Sequence, residues 1–335
     1  MKRLAIILLN SILLLSCSKP SEPVELIKEK KKELVQNEVI VFSSDRNSTS
    51  MNLFIMHING DSVQQLTNLS NGNYVPSAIS PDGKLILFYS SRWSNDFDSG
   101  SEIFLYDCIE NKTIGPIAYG TPGNFSPDGK KFVYCKHIFT MSGGYDSIWL
   151  YDLETNTEVM LSKPNNHRYS PNLSYDGKTI IYAETDFHSE MPYYSRIHLM
   201  DLNGNDIKSL TPLKSSNYAI HPKFVPNSNK IVFIYLSNER DAGYDVCLID
   251  HLTDEFSKLT SVETKKQFEE WPFFYNPSPS LYGNVIVFNT DRSNGTQTFK
   301  QEIGSINIDG SQFKRLTNNS FRDVHPIVGR LFYYK

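Results

Sequence analysis

The feature that most limits what this chain can fold into is a phrase that returns about every fifty residues. It reads YVPSAISPDGK at 74–84, GTPGNFSPDGK at 120–130 and YSPNLSYDGK at 169–178. Weaker copies follow as IHPKFVPNSNK (220–230), WPFFYNPSPSLYGN (271–284) and VHPIVGR (324–330). A short β-branched or aromatic run comes after most copies (LILFYS, KFVYCK, TIIYAE, IVFIYL, VIVFNT). Next comes an alternating segment that tends to end in Asp (EIFLYD, SIWLYD, RIHLMD, DVCLID), and then a short piece ending in Leu-Thr or Leu-Ser. Ser-Pro-Asp-Gly combines a proline with φ pre-set for a turn, an Asp that bonds nearby backbone, and a glycine free to take positive φ. The grammar is that of a four-stranded antiparallel meander repeated in series. One such small sheet cannot cover both of its faces, so copies must stack face to face around an axis.

The expected architecture is therefore all-β, a six-bladed β-propeller of four-stranded antiparallel blades over residues 39–335. Residues 39–68 carry the second, third and fourth strands of a unit but not the first, and 324–328 supplies a first strand. The C-terminal strand is expected to join the N-terminal blade and close the ring. LFYYK (331–335) duplicates VIVFSS (39–44) and leaves two choices, a strand outside its blade or an extra strand in the closing blade. Two copies carry Ser-Pro-Asp-Gly-Lys letter for letter (Ser80–Lys84 and Ser126–Lys130), and Ser174–Lys178 nearly does. This pattern, covering 39–335, resembles the TolB-like, WD-like β-propeller repeat. The resemblance speaks to fold more than to function. Similar repeats occur in envelope-associated proteins, in the propellers of prolyl-oligopeptidase-type peptidases and in oligogalacturonate lyases.

Charge excludes one class of partner. With 33 basic and 37 acidic side chains the chain has no basic surplus for a nucleic-acid backbone. No G-x-S-x-G elbow, Walker loop or dinucleotide glycine motif occurs. Cys108, Cys135 and Cys247 lack zinc-ligand or CxxC spacing and each sits in a β-patterned run, so they read as small buried hydrophobes, with one disulfide at most. The 19 Tyr and 20 Phe suit pleated, half-buried strands.

The N-terminus has a separate logic. Lys2 and Arg3 precede an apolar stretch, Leu4 to Leu15, that is too short for a stable span. Leu14-Leu15-Ser16-Cys17 resembles the lipobox of bacterial lipoproteins. That resemblance implies a signal peptide over 1–16 and acylation of Cys17 with palmitate-like chains, and more than one chain is what stable anchoring takes. Residues 17–38 hold two prolines and a dense mixture of charges, as in a solvated tether. The expected location is the bacterial cell envelope, lipid-anchored at the outer membrane on its periplasmic or outer side.

In a meander of this kind the first-to-second and third-to-fourth turns share one face, and here they are tight. The other face takes long connections bearing Trp93, Phe97, Phe139, Phe187, Tyr193, Tyr194 and Tyr244. Long loops on one face of a rigid scaffold are the usual place for binding. The residues before the repeat prolines (Val75, Thr121, Ser170, His221, Trp271, His325) are expected at one height at the channel mouth. The reading is a monomeric, non-enzymatic scaffold binding an envelope protein or glycan ligand, with no cofactor, no metal and no catalytic residue. The alternative, implied by resemblance to oligogalacturonate lyases, is a carbohydrate-active propeller with a divalent metal held by His221 and His325.

Overall fold

The computed structural model describes residues 34–70, 72–91, 101–140, 143–164, 167–185, 195–210, 218–236, 244–260, 273–292 and 300–334, and among these every regular element is a strand. A first sheet contains β1 (Leu34–Ser44), β2 (Asn52–His57) and β3 (Gln64–Gln65). The second is β4 (Asn73–Ile79), β5 (Leu85–Ser91), β6 (Glu102–Asp107) and β7 (Lys112–Tyr119). The third is β8 (Thr121–Phe125), β9 (Lys131–Thr140), β10 (Gly143–Asp152) and β11 (Thr157–Met160). Two further meanders follow. One is β12 (His167–Leu173), β13 (Thr179–Thr185), β14 (Ser195–Asp201) and β15 (Asp206–Ser209), and the other is β16 (Tyr218–Phe224), β17 (Lys230–Leu236), β18 (Tyr244–Asp250) and β19 (Phe256–Lys258). The last full meander is β20 (Phe273–Pro279), β21 (Val285–Arg292), β22 (Lys300–Asn307) and β23 (Lys314–Arg315), after which β24 (Asp323–Tyr334) pairs antiparallel with β1.

The hydrogen bonding corrects the expected count of six four-stranded blades. Four sheets of four strands stand apart, and the meanders beginning at β12 and β16 merge into one eight-stranded sheet. The physical cause is local. β14 and β16 touch through one parallel pair, Ser195 with Tyr218, and the Ser195 hydroxyl, fully buried, donates to the Ala219 carbonyl at 3.0 Å.

Period-two alternation explains why the middle strands read as unbroken apolar runs: each strand feeds two cores. In β5, Ile86 and Phe88 face β1 and β2, whereas Leu87 packs with Phe132 and Tyr134 of β9. In β9, Val133 turns the other way, toward Ile180 and Tyr182. Ile181 of β13 meets Ile231 and Phe233 of β17, so the two halves of the eight-stranded sheet face each other across a core of their own. Val232 and Ile234 meet Phe274, Ile286 and Phe288. Val287 and Ile303 then pack against Ile40, Phe42, Phe54 and Met56 of the first sheet.

The recurring motifs have recurring chemistry. The Ser80 hydroxyl donates to Asp82 at 2.7 Å and accepts the Leu85 N–H at 2.9 Å, and Gly83 takes φ +75°. A Cβ on Gly83 would lie 2.7 Å from the Arg330 carbonyl, so both the turn and its neighbour require glycine. Ser126–Asp128 and Ser174–Asp176 repeat the pattern at 2.6 Å each. The Leu-Thr and Leu-Ser signature is a strand-edge clamp. Thr67, Ser162, Thr260 and Thr317 hydroxyls accept the N–H of Leu53, Ile148, Val246 and Ile303, at 2.8 to 3.1 Å.

The described part of LFYYK, residues 331–334, is neither an extra strand nor outside the sheet. β24 simply continues, with Tyr334 opposite Leu34 and Arg330 opposite Glu38, so β1 begins at Leu34 inside the stretch expected as tether. Leu331 and Tyr333 enter the first core, and Tyr333 hydrogen-bonds His57 at 2.9 Å. Cys108, Cys135 and Cys247 are buried and free, which leaves none of them in a disulfide. Burial pushes the Cys108 and Cys135 thiols up, away from thiolate reactivity.

Candidate functional site

The strand that opens each unit (β4, β8, β12, β16, β20, β24) lies innermost, and two cavities run between these strands, of about 360 and about 120 Å³. The larger is lined by turn residues such as Pro81, Pro127, Tyr175 and Leu281, and by Arg330 of β24. The smaller is lined by the proline-marked bulges. Ser77, Asn172, Lys223 and Ile327 line both, so the passages meet at those residues.

The bulges arise from the repeat proline, which lacks an N–H for the ladder. In β12, β16, β20 and β24 the register slips at the Ser170–Pro171, His221–Pro222, Asn276–Pro277 and His325–Pro326 pairs. The residue before each of these prolines takes left-handed φ, 50° to 53°. Val75, Thr121, Ser170, His221 and His325 all line the smaller cavity. The fifth expected member was Trp271. The structure places Asn276, ahead of Pro277, at the equivalent bulge, because WPFFYNP offers two prolines and the ladder slips at the second. Trp271 lies outside the described residues, as do Trp93, Phe97, Tyr193, Tyr194 and Cys17. Phe139, near the end of β9, is 55% exposed with its ring 4.6 Å from that of His137. Tyr244 is half-buried and packs on Tyr275 at 5.2 Å, so it covers a blade end as much as it offers a surface.

Hydrogen bonds fix the state of His325. Asn289 Oδ1 accepts the His325 backbone N–H at 3.3 Å, so the Asn276 amide group that reaches it at 3.1 Å is the NH₂. The same nitrogen donates to His325 Nδ1 at 2.8 Å, which leaves the proton of the neutral ring on Nε2. His221 Nδ1 is buried without a hydrogen-bond partner among the described residues. Burial, with help from the neighbouring His325 and Lys223 charges, pushes His221 down to about 4. Burial and then Lys223 push His325 down to about 4, and burial pushes the Lys223 ammonium down to about 8. At neutral pH both imidazoles are uncharged and Lys223 carries the positive charge of the site.

Lys223 and Asn276 escaped the sequence reading. The signal was one step along the motif. The residues after the bulge prolines are Ser77, Gly123, Asn172, Lys223, Ser278 and Ile327, and Lys223 is the charged one among them. A divalent cation on the channel histidines does not fit this set. His325 Nδ1 is already engaged by Asn276, and an ammonium shares the cavity. Among the described residues no three His, Cys, Asp or Glu side chains gather in a metal-binding group.

No family profile matches the chain. An uncharacterized protein of Agrobacterium fabrum is 26% identical over 133 residues, 39% of this chain and 38% of that protein, so the match spans under two fifths of its length. Among solved structures, TolB from Acinetobacter baumannii superposes with a TM-score of 0.64 at 21% identity, covering 87% of this chain and 66% of that one, just under two thirds of its length. A putative TolB from Agrobacterium tumefaciens gives 0.59 at 15% identity over 90% and 99% of the two chains. An oligogalacturonate lyase in complex with manganese gives 0.51 at 15%, over 86% and 74%. At these identities the likeness is one of fold, and by fold the chain is similar to TolB-like β-propellers, built from four-stranded blades.

Proposed function

We propose that this chain is a lipid-anchored β-propeller of the bacterial cell envelope, working as a non-enzymatic binding scaffold for an envelope protein or glycan. Residues 1–16 are its signal peptide, Cys17 its lipid attachment and the stretch that follows its tether. The propeller has six blades, with the eight-stranded sheet counted as two. Support for the count comes from six cores between successive meanders, the last joining β21 and β22 to the first sheet. Support for closure comes from β24, which pairs with β1 and packs beside β4 and β20.

The observation that carries the binding reading is the passage between the inner strands, with unpaired polar groups facing it from a rigid all-β frame. Support for a binding rather than a lyase role is the chemistry of the histidines, one held by Asn276 and both beside Lys223. The test combines metal analysis with an unsaturated-uronate assay and co-purification from envelope extracts. An identified envelope protein lost on Trp93→Ala or Tyr194→Ala supports the scaffold. Stoichiometric Mn²⁺ with product absorbance lost in His221→Ala and His325→Ala overturns it. The anchor is tested by inhibiting lipoprotein signal peptidase, where an unchanged mass refutes processing at Cys17.

A further inference from the structure

We propose that the passage between the inner strands is a site for a small oxyanion, a carboxylate or a phosphate, bound at Lys223. The proposal deepens the binding reading above and rests on it for the claim that this passage is used.

Three observations meet at Lys223. The first is position: Lys223 lines both cavities, so it stands where they join. The second is the lack of an internal counter-charge. The Lys223 ammonium makes no hydrogen bond or ion pair with any described residue, and among the described residues no Asp or Glu lines either cavity. Elsewhere in the fold partly buried cations are matched. Arg168 holds Glu184 and Asp206, and Arg46 holds Asp323. An ammonium withdrawn from bulk water without a partner is costly to the fold, and the anion that relieves the cost must come from outside.

The third observation is the company Lys223 keeps. Asn172 is 9% exposed and lines both cavities, and its side chain has no hydrogen-bond partner among the described residues, so its amide is free to donate. The proton on His325 Nε2, fixed there by Asn276, is a further donor beside the smaller cavity. By contrast, the hydroxyls of Ser77 and Ser278 are engaged with neighbouring inner strands. Ser77 donates to the Pro122 and Gly123 carbonyls at 2.6 and 2.7 Å, and Ser278 accepts the Val328 N–H at 3.0 Å. Arg330 lines the larger cavity without an ion pair among the described residues, and gives that approach the same sign. A cleft of one sign with low-dielectric walls concentrates anions. A lysine ammonium is a point charge rather than a fork, so this site reads charge and size before it reads geometry. Apolar Ile327, which lines the same cavities, with the prolines around it, suits a compact carbon body next to the charged group.

The test is calorimetric titration of the full mature chain at pH 7 with succinate, its neutral diamide succinamide, and inorganic phosphate. Binding of succinate or phosphate, with succinamide at least tenfold weaker, is the expected result, and the comparison of the two anions distinguishes a carboxylate site from a phosphate site. Lys223→Met abolishes the binding while the protein melts no lower than the wild type, and Lys223→Arg retains it. Should the Met variant not fold, the wild type alone decides: succinate or phosphate protects Lys223 from acetylation by acetic anhydride, read by mass spectrometry. Equal binding of succinamide, full binding by Lys223→Met, binding of neither anion at millimolar concentration, or absence of protection overturns the proposal. Lyase turnover with anion binding intact sinks the non-enzymatic reading and leaves the anion site standing.

Discussion

Asn276 donates to His325 Nδ1 at 2.8 Å from the neighbouring inner strand, and both residues sit in left-handed bulges directly ahead of a proline. The contact joins β20 to β24 at the smaller cavity and holds one ring as a neutral Nε2–H tautomer. Two bulges that the repeat makes equivalent therefore act on each other, one as donor and one as acceptor.

Acid should weaken the fold through these rings. His221 and His325 sit at about 4 in the folded protein against 6.5 unfolded. Between those values the unfolded chain binds more protons, so the stability they lend is complete above pH 6.5 and is lost as pH falls toward 4. Each contributes on the order of 2–3 kcal/mol to that loss. His221→Asn, a residue type that tolerates the left-handed conformation, is expected to stay within about 1 kcal/mol of the wild type at pH 7. Urea unfolding at pH 7 and pH 5 checks this, and an unchanged pH dependence in the variant refutes the assignment.

Lys223 carries the opposite trade. Its folded value of about 8 lies below the ordinary 10.5, so stability rises with pH across that window and the burial cost is present in full at pH 7. Lys223→Met is expected to raise stability at pH 7 by about 1–3 kcal/mol. Melting curves at pH 7 and pH 10.5 should show the gain at the lower pH and little at the higher. A destabilised variant at both values means that the ammonium is internally satisfied.

The C-terminal strand is held to the first meander by charge as well as by its ladder. One guanidinium nitrogen of Arg46 donates to both carboxylate oxygens of Asp323, at 2.8 and 2.7 Å, and the Asp323 side chain is fully buried. Arg46→Met leaves that carboxylate with the Asn319 amide at 2.7 Å as its remaining side-chain partner among the described residues and should cost about 3 kcal/mol. Adding Asp323→Asn should recover part of the loss in denaturant titrations. Full additivity of the two changes contradicts a coupled pair.

Two phenylalanines should separate packing from surface. Phe88 is fully buried, stacked on Phe104 at 5.4 Å, and Phe88→Ala is expected to cost about 3–5 kcal/mol. Phe139 is 55% exposed, and Phe139→Ala should change stability by less than about 0.5 kcal/mol. Any effect of the second change belongs to binding, measured as retention of the envelope partner.

Much of this architecture is legible in the residues. Hairpin tips, the Leu-Thr clamp and strand alternation are short-range devices, so Ser80-Pro-Asp-Gly-Lys84 announces its own turn and LILFYS its two-sided burial. Other features are invisible at that range. The merging of two meanders depends on one contact, Ser195 with Tyr218, between residues 23 positions apart. The pairing of Leu34–Glu38 with Arg330–Tyr334 joins the two ends of the described chain. WPFFYNP offers two prolines, and the choice of Pro277 comes from the ladder with β21, not from the motif.

By itself the sequence determined a repeating four-stranded β unit, its turns and which strands are buried on both faces, because each is encoded within a few residues by φ preference and period-two alternation. Only the tertiary structure decided which side chains converge. Lys223 stands one residue past a proline in a degraded copy of the repeat, and nothing within its own strand says that a channel passes there. That follows from where the other inner strands lie, and from the absence of any carboxylate among the described residues lining the cavities they form.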